Sequence, residues 1–384
     1  MKIVYFTTAQ SQNDWNEFYP KWNISLNASN QNFHNKLIRA LALKNKVDVI
    51  SIRPYSRSNT NRLVLKKETK EEKNITWHYL KRSGNKIIRS LNIWPQVKKI
   101  LNNLDLRSTI FLSDTINPSI ISTALKARKK YHCPLIGICT DSPSNISGTP
   151  KSYTNYLLEK SSDLQGYLAL TDGLQELFNV HNKPSIIFEG IVENIYHHET
   201  YKHDRPYFFF GGALMRRYGI YNLISAFKKL ERDDIDLLIC GHHENEEELM
   251  DQIGNAKNIK YLKLLPVNQV IEMEKEAIAC INPRPYNEDL DRYSIPSKTL
   301  EYLNSGSLVI SVKNSKLQPK FEELALWSES SDVYELLRVM EKALDMTEKE
   351  RLEIGSLAKL KVQELYSPES ISEELQDFLI QFIK

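Results

Sequence analysis

The stretch YSIPSKTLEYLNSGSLVIS, residues 293–311, sets Ser294, Pro296, Ser297 and Lys298 just ahead of a lone Glu301 on an apolar and aromatic run. Ser294 or Ser297 can cap a helix with Pro296 at an early position. That start turns backbone N–H groups and the Lys298 ammonium toward an anion, because a helix N-terminus carries positive charge. Glu301, one turn further in, can accept two hydrogen bonds from a ribose diol. A nucleoside diphosphate offers those two parts, anion and diol, close together. The same spacing also suits a plain Lys298–Glu301 surface pair at i, i+3.

A second group lies in GGALMRRYG, residues 211–219. Gly212 ends an apolar run and permits close backbone approach, while Arg216 and Arg217 offer bidentate donors to a diphosphate. The pattern is not G-x-G-x-x-G, and a glycine turn with two solvated arginines fits it as well. Asp141 ends PLIGICTD, where it can bind a sugar hydroxyl, assist an acceptor or cap the SPSN turn. Asn30, Gln31 and Asn32 open a helix and suit sugar hydroxyls or the helix cap. His197, His198 and His203 have no cysteine or carboxylate at metal spacing, so solvated linker histidines are expected and no metal.

These groups need elements to hold them. The chain has 384 residues, 41% of them hydrophobic and 26% charged, enough for two globular domains. Its formal charge of +3 gives no ground for a nucleic-acid partner. Short apolar runs alternate with helical patterns, the signature of β-α-β units around parallel sheets. Runs at 2–8, 47–52, 108–114, 134–141, 166–172 and 184–190, with helices over 30–45, 117–131 and 151–162, predict one doubly wound domain. The polar segment 191–206 reads as a linker. The pattern restarts with runs at 207–213, 235–241, 259–265, 277–283 and 308–311. The expected division is therefore 1–190, a linker 191–206, a second domain 207–364, and a C-terminal helix 365–384 packing back on the first domain. In such sheets ligands bind beyond the carboxyl ends of the strands, and the groups above other than the linker histidines sit at that edge.

In order and spacing, FFFGGALMRRYGIYNLISAF, IDLLICGHHENEEEL, NIKYLKLLPVNQVIEMEKEAIACINPRP and IPSKTLEYLNSGSLVIS resemble the donor domain of GT-B glycosyltransferases. The likeness is to the retaining family-four type, in particular to polysaccharide-assembly members with P-S-K-x-x-E-Y-x-x-x-G. NASNQNF and IIFEGIVENIY resemble segments of the family's first domain. The resemblance implies two Rossmann-like domains facing across a cleft and transfer of a hexose from a nucleotide-diphosphate sugar, UDP favoured, to a glycan or lipid-linked acceptor, with no cofactor and no metal. Glu301 would hold the ribose, with Ser297, Lys298 and Gly212 near the diphosphate and Arg216 and Arg217 neutralising it. Asp141 would act at the reaction centre, with Asn30 and Asn32 on the acceptor.

Two departures stand out. Ala213 and Tyr218 occupy the family's usual basic positions, and Tyr293 stands where the first carboxylate of E-x(7)-E is expected, so it would face the donor sugar. Glu288, Asp289 or Asp291 could substitute for that carboxylate or be solvated loop charges. A non-catalytic glycan-binding or partner subunit on the same scaffold is the competing reading.

The stretch 78–104 pairs Lys81, Arg82, Lys86, Arg89, Lys98 and Lys99 with apolar residues and Trp94. It reads as a basic element that touches a membrane from the side or as a helix with a solvated outer face. No window reaches a membrane span, the start is too short for a signal peptide, and Cys133, Cys139, Cys240 and Cys280 lie far apart. A cytoplasmic protein with buried thiols, at most peripheral to the inner membrane face, is expected.

Overall fold

A computed structural model of the protein describes residues 1–18, 28–54, 64–83, 92–145, 149–193, 201–314 and 316–383. The chain forms two compact units. The first comprises Met1–Ile191, Arg292–Ser294 and Pro368–Lys384, the second Val192–Asp291 and Ile295–Ser367.

In the first unit, strands β1 (Lys2–Thr7), β2 (Lys46–Ser51), β3 (Val64–Leu65), β4 (Glu68–Glu72), β5 (Ile75–Tyr79), β6 (Arg82–Ser83), β7 (Thr109–Asp114), β8 (Leu135–Cys139), β9 (Gly166–Ala169) and β10 (Ser185–Ile187) follow in chain order. Eight of them form one sheet in the order β10-β9-β8-β7-β1-β2-β5-β4, while β3 and β6 pair separately. All its pairings are parallel except β4 with β5. Parallel strands are covered on both faces and so read as continuous apolar runs. Along β1, Ile3 and Tyr5 enter one core cluster, and Val4 and Phe6 enter another. The edge strand β4, ETKEE, is charged, which discourages pairing with other chains. It has no apolar run, and the sequence reading passes over it.

The second unit contains β11 (Tyr207–Gly211), β12 (Asp236–Cys240), β13 (Ile259–Tyr261), β14 (Ala279–Asn282), β15 (Leu308–Val312) and β16 (Leu326–Ser328). They form a parallel sheet in the order β13-β12-β11-β14-β15-β16. Phe208 and Phe210 of β11 pack into one cluster, Tyr207 and Phe209 into the other. Helices Val333–Asp345 and Glu348–Tyr366 cover this sheet's clusters and lie outside the sequence-based element list. The final helix, Pro368–Ile380, packs within the first unit on helix Ala28–Ala42, where Asn45 Nδ2 donates to Gln376 Oε1 at 2.9 Å.

Two sequence expectations change. The stretch 78–104 is not one amphipathic element. His78 and Tyr79 end β5, Arg82 is buried in β6, and the helix begins only at Ile93. Lys86 and Arg89 lie outside the described residues. His203 is not solvated either: its Nε2 lies 2.7 Å from Asp236 Oδ2, and its ring stacks on Tyr201. His197 and His198 also lie outside the described residues. All four cysteines are buried free thiols. Among the described residues no helix is long and apolar enough to cross a membrane.

Candidate functional site

In the second unit, the helix Ser297–Ser305 follows the carboxyl end of β14. Polar bonds fix its first turn to the strand ends. Asn282 Nδ2 donates to Thr299 Oγ1 at 2.8 Å, and that hydroxyl lies 3.1 Å from Ser311 Oγ on β15. One turn on, the buried Tyr302 Oη accepts from the Gly211 N–H at 2.9 Å and donates to the Gly211 carbonyl at 3.1 Å. The β11–β14 ladder reaches only to Phe209 and Cys280. The Tyr302 phenol thus serves backbone groups that lie beyond the end of that ladder.

The expected serine cap does not form. Pro296 occupies the cap position, no side chain caps the helix, and Ser294 belongs to the first unit. Ser297 is exposed, with its N–H bonded to Ile295 O at 2.8 Å. Proline at this position fixes the turn without a hydroxyl cap.

Lys298 and Glu301 form an ion pair of 2.7 Å, with side chains 37% and 38% exposed. Lys298 lies along the end of β11: a Cβ placed on Gly212 would stand 3.7 Å from Lys298 Cε. Withdrawal from water opposes the ammonium charge, but Glu301 and the buried Glu274 outweigh it and raise the Lys298 pKa above its ordinary value. Glu274 escaped the sequence reading because it sits on the helix Val267–Lys275 and not at a strand end. Lys298 therefore holds its positive charge against Glu301, with the field of Glu274 adding to it. Glu301 keeps acceptor capacity beyond its bond to Lys298, since a carboxylate has about four lone-pair sites.

Two glycines set the backbone nearby. Gly241 has φ +135°, and a Cβ there would fall 1.7 Å from Gly212 O; Gly219 has φ +78°, and a Cβ would fall 2.1 Å from Pro283 O. Neither position admits a side chain, so the loops after β11, β12 and β14 approach through bare backbone.

The two arginines are placed otherwise than expected. Arg216 is exposed, bonded to Glu248, and lies 4.4 Å over the Tyr221 ring. Arg217 is exposed and lies 5.1 Å over Tyr218. The acidic loop also differs: Glu288 and Asp289 are exposed, but Asp291 is buried. It accepts from Arg284 Nη2 at 3.0 Å and from the Asn287 N–H at 2.8 Å, so it holds the loop together. Tyr293 belongs to the first unit. Its ring is partly buried against the cluster containing Leu174 and Phe178, and Thr171 Oγ1 donates to the neighbouring Arg292 carbonyl at 2.7 Å. An aromatic residue at that position serves packing in the first unit's own core.

In the first unit, Asp141 Oδ1 accepts from the Ser142 N–H at 2.7 Å, the turn-capping geometry. Burial raises its pKa, with that bond and Asn145 opposing. Asn32 is exposed on its helix. Asn30 bonds a group the sequence reading missed: it contacts Asp114, the last residue of β7, and stands 3.5 Å from Thr140 Oγ1. Asp114 Oδ2 lies 3.6 Å from Nε2 of the fully buried His34, whose Nδ1 is 2.6 Å from Tyr5 Oη. Burial raises the Asp114 pKa and lowers that of His34. The strand-end rule that selected Asp141 selects Asp114 equally. His34 carries no sequence signal beyond its place on the apolar face of its helix. Among the described residues no group of three or more His, Cys, Asp or Glu is arranged to hold a metal ion.

Residues 193–360 match the family described as glycosyl transferases group 1. Solved structures resemble the whole chain. Sucrose-phosphate synthase from Thermosynechococcus elongatus aligns with TM-score 0.69 and 12% identity over 99% of both chains. A trehalose-6-phosphate protein from E. coli, bound with UDP-2-fluoro glucose, aligns with TM-score 0.68 and 11% identity over 99% of both chains. HepE of Anabaena, in complex with UDP, aligns with TM-score 0.63 and 12% identity over 99% of this chain and 100% of that one. No curated protein sequence matches.

Proposed function

We propose that this chain, a GT-B protein with a glycosyl transferases group 1 domain over residues 193–360, transfers a hexose from a UDP-sugar to a glycan or lipid-linked oligosaccharide of a surface polysaccharide. The carrying observation is the Lys298–Glu301 pair on the helix behind β14, with Lys298 lying along Gly212. On binding, the diphosphate takes Lys298 as its counter-charge, and the ribose diol donates to Glu301. UDP and a UDP-sugar analogue in two proteins of the same fold support this choice of donor.

In the reaction the acceptor oxygen bonds to the anomeric carbon as the bond from that carbon to the phosphate oxygen breaks. The acceptor proton passes to the leaving diphosphate, and anomeric configuration is retained. Lys298 stabilises the negative charge that grows on the leaving group, and Glu301 at 2.7 Å fixes where its ammonium stands. No metal takes part. Arg216 and Arg217 contribute only after leaving Glu248 and Tyr218. Asp141, Asn30 and Asn32 bind the acceptor's hydroxyls. The free thiols support a reducing, cytoplasmic setting.

A second reading, a non-catalytic donor-binding subunit, is favoured by Tyr293 in place of a carboxylate and by the engagement of Arg216 with Glu248. Release of UDP from UDP-glucose, UDP-galactose and their N-acetyl forms separates the two. The transferase reading expects one donor to be turned over, at least tenfold more slowly in Glu301→Ala. Donor binding with no release from any of them points to the subunit.

A further inference from the structure

The first unit carries a groove at the strand ends opposite to those of Asp114 and Asp141. It has a volume of about 850 Å³, and Cys133, just ahead of β8, and Gln165, just ahead of β9, help to line it. It therefore lies at the amino ends of those strands, whereas Asp114, Thr140 and Asp141 lie at the carboxyl ends of β7 and β8. A volume of this size suits a small-molecule or headgroup site.

Five cationic or titratable basic residues line it: Lys126, Arg128, Lys129, His132 and Lys160. The one carboxylate in the lining is Asp163. Lys160 pairs with Glu159 at 3.1 Å, but Lys126 and Lys129 make no ion pair among the described residues. Arg128 is oriented by Nε donating to Gln165 Oε1 at 3.0 Å. Half-exposed Tyr156 gives the groove an aromatic wall. The basic character continues past the rim. Tyr131 Oη donates to Asn102 Oδ1 at 2.6 Å and holds helix Ile93–Leu101 beside helix Pro118–Tyr131. Partial loss of water, and then the nearby Lys98 ammonium, hold Lys130 below its ordinary pKa. Some of this charge answers the helix dipoles, since Lys98, Lys99 and Arg128–Lys130 lie in last turns. Lys160 across the groove also lies in the last turn of its helix, Lys151–Ser162, so among the lining lysines the dipole leaves Lys126 unaccounted for, and Asp163 is the one lining carboxylate set against these charges.

We propose that this groove binds a phosphoryl group. Lys126 and Lys129 supply its charge, Arg128 a bidentate fork and Tyr156 a face for the attached apolar portion. Either a phospholipid headgroup or a soluble phosphate compound could present such a group, and the test separates them.

The 384-residue chain is titrated with inorganic pyrophosphate by calorimetry. It is also sedimented with vesicles of phosphatidylcholine alone and of phosphatidylcholine with phosphatidylglycerol. Each arm is repeated with Lys126→Glu/Lys129→Glu and with the charge-conserving Lys126→Arg/Lys129→Arg. A phosphoryl site predicts binding in at least one arm, weakened at least tenfold by the glutamates and kept by the arginines. Pyrophosphate binding identifies a soluble ligand, and sedimentation only with the anionic vesicles identifies a headgroup. The proposal is overturned if neither probe binds, if binding survives the glutamates unchanged, or if neutral and anionic vesicles bind alike. UDP binding should be the same in all three proteins, so failure here leaves the donor-site reading untouched, and the reverse holds.

Discussion

Replacing Tyr302 with phenylalanine removes one oxygen from a fully buried side chain and leaves its ring in place. That oxygen is bonded at 2.9 Å to the Gly211 N–H and at 3.1 Å to the Gly211 carbonyl. The carbonyl retains a second lone pair, but among the described residues the N–H lies past the β11–β14 ladder, which ends at Phe209. A buried donor left unmade costs about 1–3 kcal/mol, so we take about 2 kcal/mol for the substitution. At 1.4 kcal/mol per factor of ten, that is about a 30-fold rise in local opening. Two separately packed units make a single global unfolding energy ill-defined, so the assay is native-state hydrogen exchange of the peptide spanning β11. Protection at Gly211 should fall by about 30-fold while β1, in the first unit, is unchanged. UDP affinity should fall with it, since Gly212 and Lys298 depend on the same strand end. Exchange within twofold of wild type would refute the claim that Tyr302 holds the helix to β11.

Three further outcomes are expected. Gly219→Ala forces a side chain into φ +78° and against Pro283 O, and should destabilise the second unit by about 2–4 kcal/mol, read as a lowered thermal midpoint. Asp291→Ala removes the buried partner of Arg284 and the Asn287 N–H and should cost about 2 kcal/mol in the same assay, while Glu288→Ala on the exposed turn costs nothing measurable. Asp48 is buried, which alone would raise its pKa, but His78 at 2.7 Å and Lys2 at 3.3 Å outweigh burial and hold it below the ordinary value. A depressed folded pKa stabilises the fold above the ordinary carboxylate pKa of about 4, and that stabilisation is lost as pH falls through the lower folded value. The difference in thermal midpoint between wild type and Asp48→Asn should therefore be full at pH 5 and shrink below about pH 4.

The strands were legible because parallel sheets bury both faces: FFFG and LLIC announce themselves without any partner residue in view. The edge strand β4 was not, because solvent on its outer side permits ETKEE. At the donor site, spacing was enough for Lys298 and Glu301, since i, i+3 on a helix places them on one face. It was not enough for Arg216, whose direction depends on Glu248, 32 residues away. Nor could it show that Tyr293 packs with Leu174 and Phe178, or that Asp291 turns inward to Arg284. Those choices are made by tertiary partners, and local sequence carries no trace of them. Asp114 marks a different limit: it ends β7 much as Asp141 follows β8, and strand position alone does not separate a buried carboxylate facing His34 from one that caps a turn.

The proposed donor site is the helix Ser297–Ser305, binding a nucleoside diphosphate through Lys298 and Glu301. Calorimetric titration with UDP, with GDP and ADP as comparisons, tests it most directly. The expected result is a one-to-one UDP complex that weakens at least tenfold in Glu301→Ala and in Lys298→Ala. Absence of binding by every nucleotide, or UDP binding indifferent to both substitutions, would contradict it.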